Sequence, residues 1–242
     1  MAEPRRTSGG AGATRSQADR AKYVAPAVTG VRNATLPKND IDAGLTEAQR
    51  KAVRDEEGRV RPFTVEHASI IDKDGKVVRR ITNNNEHSVD FSGVPKDELK
   101  DAVITHNHPQ RGQIKAFGDT LATRIGSPLS AQDLAMAAKN DVAEMRATTF
   151  GGNGGGYTYS IKRPAGGWKI TDQGTLQGLV QMTRLTGMIE AGDAFSSANW
   201  SKGETDPLTN QRASRGELLA QWHSVNEMAK ALGATITRRR FK

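Results

Sequence analysis

Polar and apolar residues alternate through the first half of Phe63-Thr64-Val65-Glu66-His67-Ala68-Ser69-Ile70-Ile71, which predicts a β-strand. Asp72-Lys73-Asp74-Gly75 follows as a hairpin turn, because Asp-Gly supplies the positive φ values such turns need. Lys76 to Thr82 then returns as a second strand, and His87-Ser88-Val89-Asp90-Phe91 predicts a third, short one. Pro95 to Leu99 suits the first turn of a brief helix with proline at its first position. Ala102-Val103-Ile104-Thr105-His106 reads as a buried strand ending in the histidine pair. Ser130 caps a helix running to about Asn140, with Leu134, Ala137 and Ala138 on one face. Glu144 to Phe150 and Tyr157 to Lys162 read as a strand pair joined by the glycine-rich run 151–156, with Trp168 on a later turn. The run has no Lys-Ser/Thr and leads into a strand, so it is a hairpin loop and not a phosphate loop.

The flanks have a different pattern. Residues 1–20 hold almost nothing to bury and read as a disordered basic arm. Thr46-Glu47-Ala48-Gln49 is a capping-box pattern, opening a helix to about Glu57. That helix is polar on most faces, as expected of a surface or partner-contacting element. Beyond Asp172, Leu176, Leu179, Val180, Met182 and Met188 recur near helical spacing, and Leu218, Leu219, Trp222, Val225, Met228 and Leu232 do so again. Two helices follow, with a polar loop containing Asp206-Pro207 between them and Gly233 as a C-cap residue. The expected organisation is an arm and polar helix over 1–60, a compact domain over 61–170 and a helical region over 171–242. The fold class is α+β, a mixed central sheet flanked by helices.

Composition narrows the chemistry. The 242 residues are 36% hydrophobic and 5% aromatic, so part of the chain lies outside any packed core. Cysteine is absent, which excludes disulfides, thiolate nucleophiles and Cys-ligated zinc. No apolar run is long enough to span a membrane, and the first residues lack the apolar core of a secretory signal. A cytoplasmic or virion location is the expectation. The net charge of +8 favours contact with nucleic acid or another polyanion, or simply solubility. The basic clusters are Arg5-Arg6, Arg79-Arg80 and Arg238-Arg239-Arg240, and no aromatic residues are interleaved as a base-stacking surface requires.

The most informative segment is Thr105-His106-Asn107-His108-Pro109, followed by Ser130-Ala131-Gln132-Asp133. Histidines two apart on a strand point to the same side. A carboxylate on the next helix, Asp133, completes a His106, His108 and Asp133 ligand set. Zinc held by three protein ligands keeps a fourth position open, as hydrolytic sites do. The base for the attacking water is expected to be a carboxylate outside that set. Glu66 is the first choice, since a charge inside an otherwise apolar strand needs a reason; Glu86 and Glu98 are alternatives in more exposed segments. Ser130 has two possible jobs, capping the helix that carries Asp133 and donating a hydrogen bond to a tetrahedral intermediate. His67, His87 and His223 read as ordinary half-exposed or core-edge residues.

Glu66, His106-Asn107-His108-Pro109 and Ser130-Ala131-Gln132-Asp133 together resemble the Glu…His-x-His…Ser-x-x-Asp signature of JAMM (MPN-type) zinc metalloproteases, including the RadC-related and toxin-associated prokaryotic branches. Glu66-His67-Ala68, Asp74-Gly75, His87 to Phe91, Ser127-Pro128-Leu129, Tyr157 to Ile161 and Gly166-Gly167-Trp168 are similar, more narrowly, to JAMM-like modules of phage-encoded head or structural proteins. The resemblance spans about residues 63–168. It implies Zn2+ on His106, His108 and Asp133, Glu66 as general base, Ser130 as stabiliser of the intermediate, and a protein or peptide substrate. One departure stands out: His108 and Ser130 enclose 21 residues, far more than the family's usual spacing. The inserted stretch, Gln110 to Leu129, would have to leave the cleft, as a lid or specificity element, or else it displaces Asp133 and leaves a pseudo-site. The alternative is a phage or virion structural protein whose JAMM-like domain is a non-catalytic scaffold, with virion protein partners and non-specific nucleic-acid contact through the basic termini.

Overall fold

The computed structural model describes residues 41–109, 129–150, 156–197 and 223–241. Six strands form one mixed sheet: β1 (Ala68–Ile71), β2 (Val77–Ile81), β3 (Val103–His108), β4 (Glu144–Phe150), β5 (Gly156–Lys162) and β6 (Ile236–Phe241). Their spatial order is β2-β1-β3-β4-β5-β6. All neighbouring pairs are antiparallel except β3 and β4. The helices are α1 (Glu47–Val60), α2 (Lys96–Leu99), α3 (Ala131–Lys139) and α4 (Gln173–Ser197), and residues 223–231 are also helical. This is an α+β architecture, a mixed sheet flanked by helices, as the pattern predicts. Among the described residues no helix is long and apolar enough to cross a membrane.

The one parallel pair positions the chemistry. Parallel neighbours cannot be joined by a hairpin, so the chain crosses over the sheet between them, and α3 lies on that crossover. Leu134, Ala137 and Ala138 of α3 join the main core with Ile70, Ile104, Met145, Ala147 and Ile161, and Leu176, Val225, Met228 and Leu232 extend it. Trp168 closes one side and donates its indole N–H to Val142 O at 3.2 Å.

The hairpin after β1 forms as expected, but only Gly75 has positive φ, at 82°. Asp72 N–H pairs with Lys76 O, leaving a three-residue loop whose last residue takes the left-handed conformation. A Cβ at Gly75 would lie 2.5 Å from the Ala48 carbonyl carbon, so the turn also needs glycine where it touches α1.

Four local expectations are corrected. The first strand begins at Ala68, not Phe63, and Glu66 precedes it on irregular backbone. Residues 87–91 form no strand: the Asn85 and Asp90 side chains accept from His87 N–H and Ser92 N–H, turn contacts that compete with a ladder. Helix α1 does not stand off as a surface element. Gln49, Val53, Glu56, Glu57 and Val60 are buried on one face, the charged members because arginines meet them. The end of the region read as helical over 171–242 is a strand, β6, whose Arg239 pairs with Asp42 and Glu57. The basic arm, the inserted 110–128 stretch, most of the glycine-rich run, the Asp206-Pro207 loop, Leu218, Leu219 and Trp222 lie outside the described residues.

Candidate metal centre

Successive residues of β3 face opposite sides of the sheet. Val103 packs with the residues of α1, whereas Ile104 belongs to the core under α3. His106 and His108 therefore share the α3 side. Because α3 starts where the crossover from β3 returns, its first turn lies at the carboxyl end of that strand. There His106 Nε2 lies 2.9 Å from His108 Nε2. Asp133 Oδ1 lies 3.4 Å from His106 Nε2, and Asp133 Oδ2 lies 3.5 Å from His108 Nε2. Ligand atoms of the three residues all fall within 4.8 Å of one another.

The donors fit a metal ion. Zinc bonds of about 2.0–2.1 Å at tetrahedral angles separate ligand atoms by about 3.3–3.4 Å. The two His–Asp distances lie near this spacing, although they run to different oxygens of Asp133, and the imidazole pair is closer. The His106 and Asp133 side chains are 4% and 17% exposed, so the site opens to solvent on the aspartate side.

Ser130 and Asp133 form a complete capping box. Asp133 Oδ2 accepts from Ser130 N–H at 2.7 Å and from the Ser130 hydroxyl at 2.8 Å, and Ser130 Oγ accepts from Asp133 N–H at 3.2 Å. The box starts the helix and aims the ligand at once. It holds Oδ2 and leaves Oδ1 facing His106. Burial opposes ionisation of Asp133, but the His106 and His108 rings outweigh it and hold the carboxyl well below the usual range.

Glu66 is brought to the same face by register. Ala68 pairs with His106, and Asn107 N–H still donates to His67 O one step beyond the ladder. The same register carried two residues past Ala68 would set Glu66 opposite His108, and the charges of His108, His106 and Asp133 do act on its carboxyl. Opposite residues of an antiparallel pair share a face. Glu66 is 7% exposed as a residue, and burial raises its pKa against the pull of His108 and His106. Glu98, an alternative base, is held instead by Arg79 in two 2.7 Å bonds. Glu86 is exposed. His67 stacks on Phe63 with centroids 4.0 Å apart, and His87 is exposed.

Three polar residues around Glu66 carry no role in the sequence reading. Asn85 O accepts from Glu66 N–H at 2.8 Å, and the Thr82 hydroxyl donates to Glu66 O at 3.0 Å. Asn107, 2% exposed, bonds through its side chain to Phe63, Val65 and His67. An asparagine inside a buried strand, where the residue is normally depleted, was the available signal. Comparison of the chain with protein-family models, curated proteins and solved structures finds no match.

Proposed function

We propose that this protein is a zinc-dependent metallopeptidase or isopeptidase of JAMM-like design. The observation that carries the reading is the convergence of His106, His108 and Asp133, with the buried Glu66 close enough for the charges of all three to act on it. A divalent ion held by the three residues would supply Lewis acidity toward a carbonyl and lower the pKa of water. Two histidines and a carboxylate also suit iron(II), and the neighbouring desolvated glutamate is what favours hydrolysis over redox chemistry. Glu66 takes a proton from the attacking water and passes it to the leaving amine as the amide C–N bond breaks. Burial suits it to this exchange, because a raised pKa brings a carboxylate nearer the working pH of a general base. Ser130 orients Asp133 through the capping box; donating to a tetrahedral intermediate would require its hydroxyl to leave Asp133.

The test has two arms. Elemental analysis of purified protein is expected to find one zinc per chain, lost in His106→Ala. A proteome-derived peptide library is expected to be cleaved by the wild type, but not by Glu66→Gln that still holds its zinc. Metal-free wild type, or cleavage unaffected by Glu66→Gln, would end the reading. One observation favours a scaffold instead: the buried His106 Nδ1 has no hydrogen-bond partner among the described residues, whereas metal-ligating histidines almost always donate from the second ring nitrogen. A zinc-loaded protein that cleaves nothing would support that reading.

A further inference from the structure

We infer that Asn107 is the positioning residue that holds Glu66 opposite the histidine pair, a role that rests on the hydrolase reading above. The regular ladder between β1 and β3 stops at Ala68 and His106. Glu66 lies two residues beyond that end, and past it a single backbone bond among the described residues, Asn107 N–H to His67 O, still joins the two segments.

Asn107 replaces the missing ladder. Its N–H donates to His67 O at 3.2 Å, and its Oδ1 accepts from His67 N–H at 2.7 Å. Its Nδ2 donates to Val65 O at 3.0 Å and to Phe63 O at 3.2 Å. Both amide hydrogens and the amide oxygen are thereby engaged by residues 63–67, on either side of Glu66. The backbone of Glu66 itself is held from its other edge by Asn85 O and the Thr82 hydroxyl.

The side chain of Asn107 points away from the ligand face, because it alternates with His106 and His108. It cannot ligate the ion, so its influence on chemistry runs through Glu66. Only a primary amide supplies two donors and one acceptor at this reach. An aspartate keeps the acceptor for His67 N–H but turns a charged oxygen toward two carbonyl oxygens. A serine is too short to span both Val65 and Phe63.

Asn107→Asp and Asn107→Ser test the assignment, with His67 amide exchange in the wild type as a measurement that needs no variant. The wild-type amide is expected to be protected. Each variant is expected to bind one zinc, and to show the wild-type visible spectrum when loaded with Co2+. It should exchange faster at residues 65–67. On the first library peptide found to be cleaved, kcat is expected to fall roughly 10- to 100-fold with KM little changed, as displacement of a reacting group by about 1 Å produces. An unprotected His67 amide in the wild type overturns the proposal. So does loss of metal from a folded variant, or faster exchange with kcat unchanged. A wild type that binds no metal sinks the hydrolase reading, whereas wild-type cleavage matched by both variants sinks only the role of Asn107.

Discussion

Glu66 sits in a conflict between stability and chemistry. Its carboxyl is buried, and no lysine or arginine among the described residues forms an ion pair with it. Its folded pKa is raised, so the folded protein holds that proton more tightly than the unfolded chain does. The stability from this group is present at low pH and lost as pH rises through the raised pKa. At neutral pH the carboxylate is therefore a burden, and Glu66→Gln is expected to raise the melting temperature of metal-free protein while lowering hydrolysis by roughly 10²- to 10⁴-fold. If Glu66 is the base, activity falls as pH drops through its pKa, a limb measurable as log kcat against pH and lost in Glu66→Gln. A lower melting temperature in Glu66→Gln would mean the carboxylate is paired and structural. Ser130→Ala makes a second residue-scale prediction. Loss of the cap costs about 1 kcal/mol of stability. Because the hydroxyl also restrains Asp133 Oδ2, zinc affinity is expected to fall roughly 10- to 100-fold in competition with a chelator. His106, His108, Ser130 and Asp133 were legible in the chain because each pair acts at local spacing. Asn107 was not, since its partners lie 40 to 44 residues away.

Helix α1 shows what hydrophobic periodicity cannot see. Its inward face carries Glu56 and Glu57 beside Val53 and Val60, so it reads as polar all round. The sheet meets it with matching charge. Arg146, with 0% of its side chain exposed, donates to Glu144 at 2.6 Å, Asp42 at 3.0 Å and Glu57 at 3.1 Å. Arg80 and Arg59 hold Glu56 at 2.6 Å each. Removing Arg146 would strand carboxylates in the interior, so Arg146→Ala is expected to cost about 3–5 kcal/mol by urea denaturation. A cost below about 1 kcal/mol, the range of surface pairs, would show the cluster is solvated. The acid response follows from the same contacts. Burial opposes ionisation of Glu56, but Arg80, Ser69 and Arg59 overcome it and lower its pKa to about 2. Asp42 is lowered too, as Arg54 and Arg146 outweigh its burial. Depressed carboxylates stabilise the fold above their unfolded pKa, and that contribution is lost as pH falls toward the folded value. Limited proteolysis of α1 should therefore accelerate between about pH 4.5 and 2.

At the scale of the molecule, one strand serves both layers. Val103 of β3 faces the layer of α1 and Asn107 bonds the backbone of Phe63, Val65 and His67, while Ile104, His106 and His108 face α3 and the core. The α+β class, a mixed sheet with flanking helices, was foreseeable from alternating and helical patterns, whereas the strand order and the parallel β3–β4 pair come from the structure. The sixth strand was not, because its apolar signal is confined to Ile236 and Phe241 around three arginines and a threonine. Its place follows from long-range pairing: Ile236 faces Ile161 across the ladder, and Arg239 reaches Asp42 and Glu57. This shared strand ties the candidate metal donors to the whole fold. The ligands come from β3 and α3, which the unfolded chain does not hold together, so an ion that binds them favours the folded state. At a free metal concentration about 100-fold above Kd the gain is about 2.7 kcal/mol, or roughly 5–10 °C in Tm for a chain of this size. Zinc is therefore expected to raise the melting temperature of the wild type by that amount, and a chelator to reverse it. His106→Ala should melt at one temperature with or without zinc. A shift of equal size in His106→Ala would place the stabilising ion elsewhere, because that variant lacks one of the three donors on which the β3–α3 site depends.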